Sequence, residues 1–383
     1  MKTSAEKILA LISWASFDFA ETIFSANILS VFFPLWLVNV LGGRPFHYSI
    51  TYSTSLFVSI LLAIFVGRYA DMHARRKPLF LLAVIISGLC LLMLSRTDTL
   101  IIALIIFFFV NLFYQQSLVL YNSLLLSVSN RGDRAVSSGI GVSIGYIGGA
   151  AGLYAISRIS PSETSAFMMV AILFVLFSVP TGIFVKERTV VAVNGVSLKR
   201  VIKDKGFMLF VISCLFLTEA AHTIIIFMSV YLDKVYGLNR QDIVPIIATA
   251  AVIAAIASPF IGRLSDGLGV RRVFNLLFPL WAIAFSTVPF LSVGFVYLIG
   301  IVFGILLASV WTTIRPMLIE LSPEEEVATR FAFLSISERM AAVIGPLWWG
   351  LMVEIVGYKL STLTLAIFPI FGWFVFRMHI KTE

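Results

Sequence analysis

Four ionisable residues stand in stretches that are otherwise almost wholly apolar. Asp18 and Glu21 follow Lys7 in the first such stretch, and Glu219 and His222 follow Lys205 in a stretch of the second half. Charged groups are expensive in lipid, so those found there usually mark ion or substrate paths. At about 1.5 Å of rise per residue, Asp18 and Glu21 lie roughly 16–21 Å along a helix starting at Lys7, near the middle of a bilayer. Trp14, Asp18, Glu21 and Ser25 share one helical face. Glu219 is the approximate repeat counterpart of Glu21, and the two would face one another across a central cavity. A carboxyl group at that depth can take up a proton at accessible pH, so proton coupling is the chemistry on offer. The plainer alternative is an interhelical hydrogen bond, which for the lone His222 stands beside the functional reading.

A second polar set is uncharged. Asn111, Gln115 and Asn122 form a stripe with Tyr114, Gln116 and Tyr121 alongside, and the matching stretch of the second half carries Thr312 and Arg315. Hydrogen-bonding amides and aromatics suit a small polar organic solute. The planar fork of Arg315 could hold a carboxylate or phosphate. It could equally pair with Glu320 or Glu338, and Glu338 with Arg339 is a candidate structural ion pair. No G-x-x-x-x-G-K-[ST] or H-E-x-x-H occurs, the one G-x-S-x-G (Gly141 to Gly145) lies within an apolar glycine-rich run, the four His are scattered, and Cys90 and Cys214 are separate. Neither an enzyme, nor a metal site, nor a cofactor is expected.

The elements that position these residues follow from composition. Hydrophobic residues make up 60% of the chain, charged residues only 13%, and mean hydropathy is +1.01. Soluble proteins carry roughly 45–50% apolar and about 25% charged residues, so the solvent here is lipid. Runs long enough to span a bilayer, roughly 20 residues each, lie near 9–39, 48–70, 77–95, 99–127, 135–158 and 163–186. Six more lie near 206–233, 242–263, 271–292, 295–320, 327–355 and 361–380. The first is too long for a signal peptide. The net charge of +8 does not point to nucleic acid, because the basic residues sit between spans and gather on one side. That bias places both termini in the cytoplasm of a multi-pass plasma-membrane protein. The polar linker 187–205 separates two six-span domains, 1–186 and 206–383, which are parallel repeats because an even number of spans lies between them.

The repeat is visible in one motif. Gly67-Arg-Tyr-Ala-Asp71-Met-His-Ala-Arg75-Arg76-Lys77 is echoed by Gly262-Arg-Leu-Ser-Asp266-Gly-Leu-Gly269-Val-Arg271-Arg272. Gly67 removes a side chain and lets another helix approach. Asp71 can sit at a helix N-terminus, where a surface anion contributes roughly 0.3–1 kcal/mol, or pair with Arg131 or Arg134. Arg75, Arg76 and Lys77 would meet anionic headgroups.

Twelve spans, a central basic loop and this repeated motif resemble the major facilitator superfamily. The resemblance implies an all-α integral membrane fold of twelve transmembrane helices in two pseudo-symmetric six-helix bundles. It also implies a cytoplasmic latch made by Gly67, Asp71, Arg75, Gly262, Asp266 and Arg271, and secondary active transport by alternating access. Ala74 departs from the glycine common in that motif, which Gly269 supplies in the second copy. Trp14-Ala-Ser-Phe-Asp18-Phe-Ala, Tyr121-Asn122-Ser-Leu-Leu and Ser138-Gly-Ile-Gly-Val-Ser-Ile-Gly145-Tyr146-Ile-Gly-Gly149 resemble the vacuole-effluxer branch, which implies amino-acid export. Phe17 and Phe19 stand where that branch often has Tyr and Trp. The glycines from Gly139 to Gly152 read first as close packing. The partners expected are a small-molecule substrate, protons and the lipid bilayer, with the chain acting as a monomer. Export of a drug-like compound, lipid or metal ion, and a non-transporting membrane sensor, are the alternatives.

Overall fold

A computed structural model describes residues 4–43, 45–160, 162–188, 196–238 and 240–382. Residues 189–195 of the expected linker lie outside the described residues. Inside lipid a backbone must pair its own N–H and C=O groups, which leaves helix as the local solution for these apolar runs. The first part of the chain forms α1 (Ser4–Phe24), α2 (Phe33–Asn39), α3 (Pro45–His73), α4 (Arg76–Leu94), α5 (Leu100–Val128), α6 (Arg134–Ile159) and α7 (Glu163–Phe184). The short α8 (Leu198–Lys203) precedes α9 (Lys205–Tyr236), α10 (Arg240–Leu268), α11 (Val270–Thr287), α12 (Val296–Glu320), α13 (Val327–Thr364) and α14 (Ile367–Thr382).

Among the described residues eleven helical stretches are long and apolar enough to cross a membrane, and the shorter apolar helix Ile367–Met378 accompanies them. The run expected at 361–380 is therefore broken. Gly357 adopts φ 77° inside α13, and Pro369 opens α14 in its first turn, where a missing N–H is tolerated. The first run is a single stretch, Ala5–Asn39, but its centre, Ser25–Phe32, is π-helical. Pro34 has no N–H to give the Ser30 carbonyl, and the Phe33 N–H reaches back to Ile28 instead.

The chain divides into two compact units. The first comprises Met1–Asn130, Ile144–Val196 and Glu324–Ala332. Within it α4 packs on α5 and α7, α3 on α5, and α1 on α7. Lipid provides no hydrophobic drive between helices, so shape and small residues decide the contacts. A Cβ at Gly148 would stand 2.8 Å from the Phe19 carbonyl oxygen, so this glycine seats α6 directly on α1. In the same unit Phe17, Phe24, Phe80 and Phe174 are fully buried.

The second unit comprises Arg131–Ser143, Ser197–Pro323 and Phe333–Glu383. Here α11 packs on α12 and α14, α10 on α12, and α9 on α14. The pairing scheme is that of the first unit, element for element. A Cβ at Gly300 would meet the Ile246 carbonyl at 3.1 Å, which brings α10 and α12 together through a glycine.

Candidate functional site

The repeated motif forms a helix cap twice. At the end of α3, Asp71 is fully buried. Its Oδ2 accepts from the Thr329 N–H at 2.7 Å and the Thr329 hydroxyl at 2.8 Å, and Oδ1 accepts from the Ala328 N–H at 3.1 Å. These are the first free N–H groups of α13, so a distant carboxylate does the work of a local N-cap. Gly67 makes this possible, since a Cβ there would lie 2.7 Å from the Ala328 oxygen. In the second copy Asp266 accepts from the N–H groups of Ala135 and Val136 at 2.9 and 2.8 Å, at the start of α6. Gly262 lies against the same two residues.

The basic partner differs from expectation. Asp71 pairs with Arg76, whose Nη2 lies 2.8 Å from Oδ1 and whose Nε lies 3.0 Å from it. Arg76 is 1% exposed, whereas Arg75 is exposed. The cause is the turn between α3 and α4. Ala74 takes a left-handed φ of 48°, and the next helix begins with Arg76 pointing back at Asp71. Arg76 also donates to the Glu324 carbonyl at 2.7 Å, so it is a structural group and not a headgroup contact. Glu187, which sequence reasoning missed, accepts from the N–H groups of Arg76 and Lys77 at 2.8 and 3.1 Å and caps α4. Nothing local marks Glu187, because its partners are over a hundred residues away. A second buried pair, Glu326 with Arg330 at 3.0 Å, lies in the first turn of α13. Arg271, half-buried, stands where Arg76 stands in the first copy.

The membrane-depth carboxylates of α1 are both held by α5. The Tyr121 hydroxyl donates to Asp18 Oδ2 at 2.7 Å, and the Tyr114 hydroxyl donates to Glu21 Oε1 at 2.6 Å. Trp14 stacks on Tyr121 with centroids 4.6 Å apart and donates its Nε1–H to the Tyr121 carbonyl at 3.2 Å. Tyr114 is stacked on Phe24 at 4.3 Å. The spacing of Tyr114 and Tyr121 places them beside the polar stripe, and nothing local to them announces the carboxylates as their partners.

The α5 stripe does not act as one surface. Asn111 is fully buried and donates to the Ser55 hydroxyl at 2.6 Å, while Gln115 donates to Asn111 at 3.3 Å. Asn111 ties α5 to α3, and Gln115 braces it from one turn further along α5. Asn122 is half-buried, and its Oδ1 has no hydrogen-bond donor among the described residues.

In the second unit Glu219 is 1% exposed, and its Oε1 has no hydrogen-bond partner among the described residues. His222, half-buried, meets the Trp311 ring edge-on with centroids 5.6 Å apart. Glu219 is packed against Gly345 of α13, where a Cβ would come 2.9 Å from the Glu219 carbonyl. The Thr223 hydroxyl lies at the same glycine and donates to the Glu219 carbonyl at 2.8 Å. In the first unit Gly145 lies on Asp18 and Thr22, and the Thr22 hydroxyl donates to the Asp18 carbonyl at 2.6 Å. By these contacts Glu219 stands in its unit as Asp18 stands in the first. Glu338 lies near Arg339 and Arg315. Arg339 is buried and donates to the Ser335 hydroxyl at 3.0 Å.

A profile of the Major Facilitator Superfamily matches residues 19–254 and 211–383. A protein of Aquifex aeolicus (strain VF5) described as uncharacterized is 35% identical over 380 residues, 98% of each chain. The uncharacterized MFS-type transporter YxiO of Bacillus subtilis (strain 168) is 20% identical over 94% of this chain and 91% of its own. Among solved structures, a bacterial homologue of the iron transporter ferroportin in its outward-facing state superposes with a TM-score of 0.78. It is 13% identical and covers 98% of this chain and 99% of its own. The human organic anion transporter MFSD10 (TETRAN) gives 0.77 at 11% identity, covering 98% and 100%. With a family profile spanning nearly all of its length, this multi-pass membrane chain belongs to the major facilitator superfamily of transporters.

Proposed function

We propose that the chain is a secondary active transporter that moves a small polar organic solute by alternating access and couples that movement to protons. An amino acid is the first candidate, a suggestion resting on the resemblance of Trp14 to Phe19 and Tyr121-Asn122 to the vacuole-effluxer branch. The protein would act as a monomer in the plasma membrane with both termini in the cytoplasm, the side on which Arg75, Arg76, Lys77, Arg271 and Arg272 gather. The observation that carries the reading is the pair of hydroxyl–carboxylate contacts inside a membrane span, Tyr121 to Asp18 and Tyr114 to Glu21. A carboxyl group at that depth is neutral when protonated and charged when not, so gaining or losing a proton changes what its surroundings can hold. The tyrosine hydroxyls hold the two carboxyl groups in place, and arrival of a substrate or a rearrangement of α1 would release them. The π-helical segment that follows Glu21 supports such a rearrangement, because π turns are locally irregular and common at functional positions. Asp71 and Asp266 serve as latches, each holding the first turn of a helix from the other half of the sequence.

A second reading, an organic anion as substrate, is favoured by one observation. Arg315 and Arg339 both lie near Glu338, and two guanidinium groups brought close together suit a carboxylate or phosphate. Purified protein in liposomes with an imposed pH gradient, offered amino acids, organic anions and iron(II) in turn, separates the readings. Amino-acid accumulation that collapses when a protonophore is added supports the proposal. Accumulation of another class alone, or flux indifferent to the gradient, overturns it.

A further inference from the structure

The α3 face away from Gly67 and Asp71 carries a feature that transport does not use. Phe65, Arg68, Tyr69 and His73 recur at i, i+3, i+4 and i+8, the spacing of one helical stripe. With Val66, and with Leu79 of α4, they line an open groove of about 490 Å³. Phe65 is 64% exposed and Tyr69 44%, so the groove faces outward. Its chemistry is split along its length. Phe65, Val66 and Leu79 make an apolar trough, and the polar groups collect at the end nearest the α3–α4 turn. There the His73 ring stacks on Tyr69 with centroids 4.2 Å apart. Arg68 donates its Nε–H to the Val196 carbonyl at 2.9 Å. That bond orients the guanidinium and leaves its two terminal nitrogens without a protein acceptor among the described residues. Exposed Arg75 adds positive charge two turns further on.

We propose that this groove binds an anionic phospholipid from the leaflet beside the α3–α4 turn. The Arg68 guanidinium takes the phosphate, and an acyl chain lies along Phe65, Val66 and Leu79. The charge is complementary, because a guanidinium fork matches two phosphate oxygens. The depth is also right. Basic pockets between spans near a membrane face recognise headgroups, and Tyr69 sits where amphipathic rings prefer to be. A free phosphate would gain nothing from the trough, whereas a lipid tail fills it.

The test is native mass spectrometry of the full chain released from nanodiscs holding equal amounts of phosphatidylglycerol and phosphatidylcholine. Retention of phosphatidylglycerol should exceed that of phosphatidylcholine by about fivefold, the order expected for one basic contact to an anionic lipid. Arg68→Gln should abolish that preference. Arg272→Gln, at the matching turn of the second copy, should leave it intact. Phe65→Ala, at an exposed position whose truncation spares the fold, should lower retention of both lipids. Soluble glycerol 3-phosphate in excess should displace neither. Equal retention of the two lipids, or identical behaviour of the Arg68 and Arg272 variants, overturns the proposal. Displacement by glycerol 3-phosphate overturns it as well, by making the site one for a free anion.

Discussion

Asp71 and Thr329 are joined twice, through the Thr329 N–H at 2.7 Å and its hydroxyl at 2.8 Å, although they stand 258 residues apart in sequence. The same carboxylate is gripped by Arg76 at 2.8 Å. Removing its charge therefore strands a buried guanidinium as well as uncapping a helix. Asp71→Asn should cost about 3 kcal/mol or more, the range for breaking a buried pair. Asp266→Asn, which loses a half-buried cap, should cost about 1 kcal/mol. Denaturant titrations of the two variants in detergent check the order.

The same cap sets local opening of α13. Hydrogen exchange of the peptide amides at Ala328 and Thr329 should accelerate at least about tenfold in Asp71→Asn, the equivalent of about 1.4 kcal/mol of lost protection. Unchanged exchange there would mean that the carboxylate is a turn residue and holds nothing.

Ala74 and Gly269 occupy matching turns, with φ of 48° and 91°. A left-handed conformation disfavours a side chain by roughly 1–2 kcal/mol, and the added freedom of glycine in the unfolded chain offsets part of that. Ala74→Gly should stabilise the protein by about 0.5–1 kcal/mol, and Gly269→Ala should destabilise it by about 1–3 kcal/mol. Melting temperatures of the two variants should move in opposite directions.

Gly67 and Gly267 make a matched control for close approach. A Cβ at Gly67 would stand 2.7 Å from the Ala328 carbonyl oxygen, while one at Gly267 meets nothing within 4 Å. Gly67→Ala should cost about 1–3 kcal/mol by overpacking and disturb the Asp71 cap with it. Gly267→Ala should be neutral in stability and in α13 exchange.

The tyrosines carry a functional prediction. Tyr121→Phe and Tyr114→Phe each delete a bond to an ionised or ionisable carboxyl, worth about 1.5–3 kcal/mol. Each should shift the pH profile of transport, with the fold intact. A profile identical to that of the parent would reduce these bonds to packing.

The period, the spans and the motif were legible because hydrophobic runs and a repeated Gly–Asp spacing depend on local chain chemistry. Helix phase was not. Glu219 and Glu21 look like mates by residue count, yet Glu219 and Thr223 on Gly345 match Asp18 and Thr22 on Gly145. Loops of unequal length shift each helix by a few residues between the halves. Arg76 was passed over for Arg75 because the choice rests on the left-handed turn at Ala74, where the sequence has no glycine to announce it. Glu187 and the two tyrosines act on partners distant in sequence, and no spacing rule reaches that far. The carboxylates themselves were visible only because charge in an apolar run is rare.

The central claim is that protons drive solute movement through the acids within the spans. It is tested most directly by comparing the parent with Glu21→Gln and Glu219→Gln in proteoliposomes, each measured two ways with the same solute. The account predicts that both variants keep solute exchange at equilibrium and lose accumulation driven by an imposed pH gradient. Accumulation in the parent that ignores the gradient, and that survives both substitutions, would contradict it.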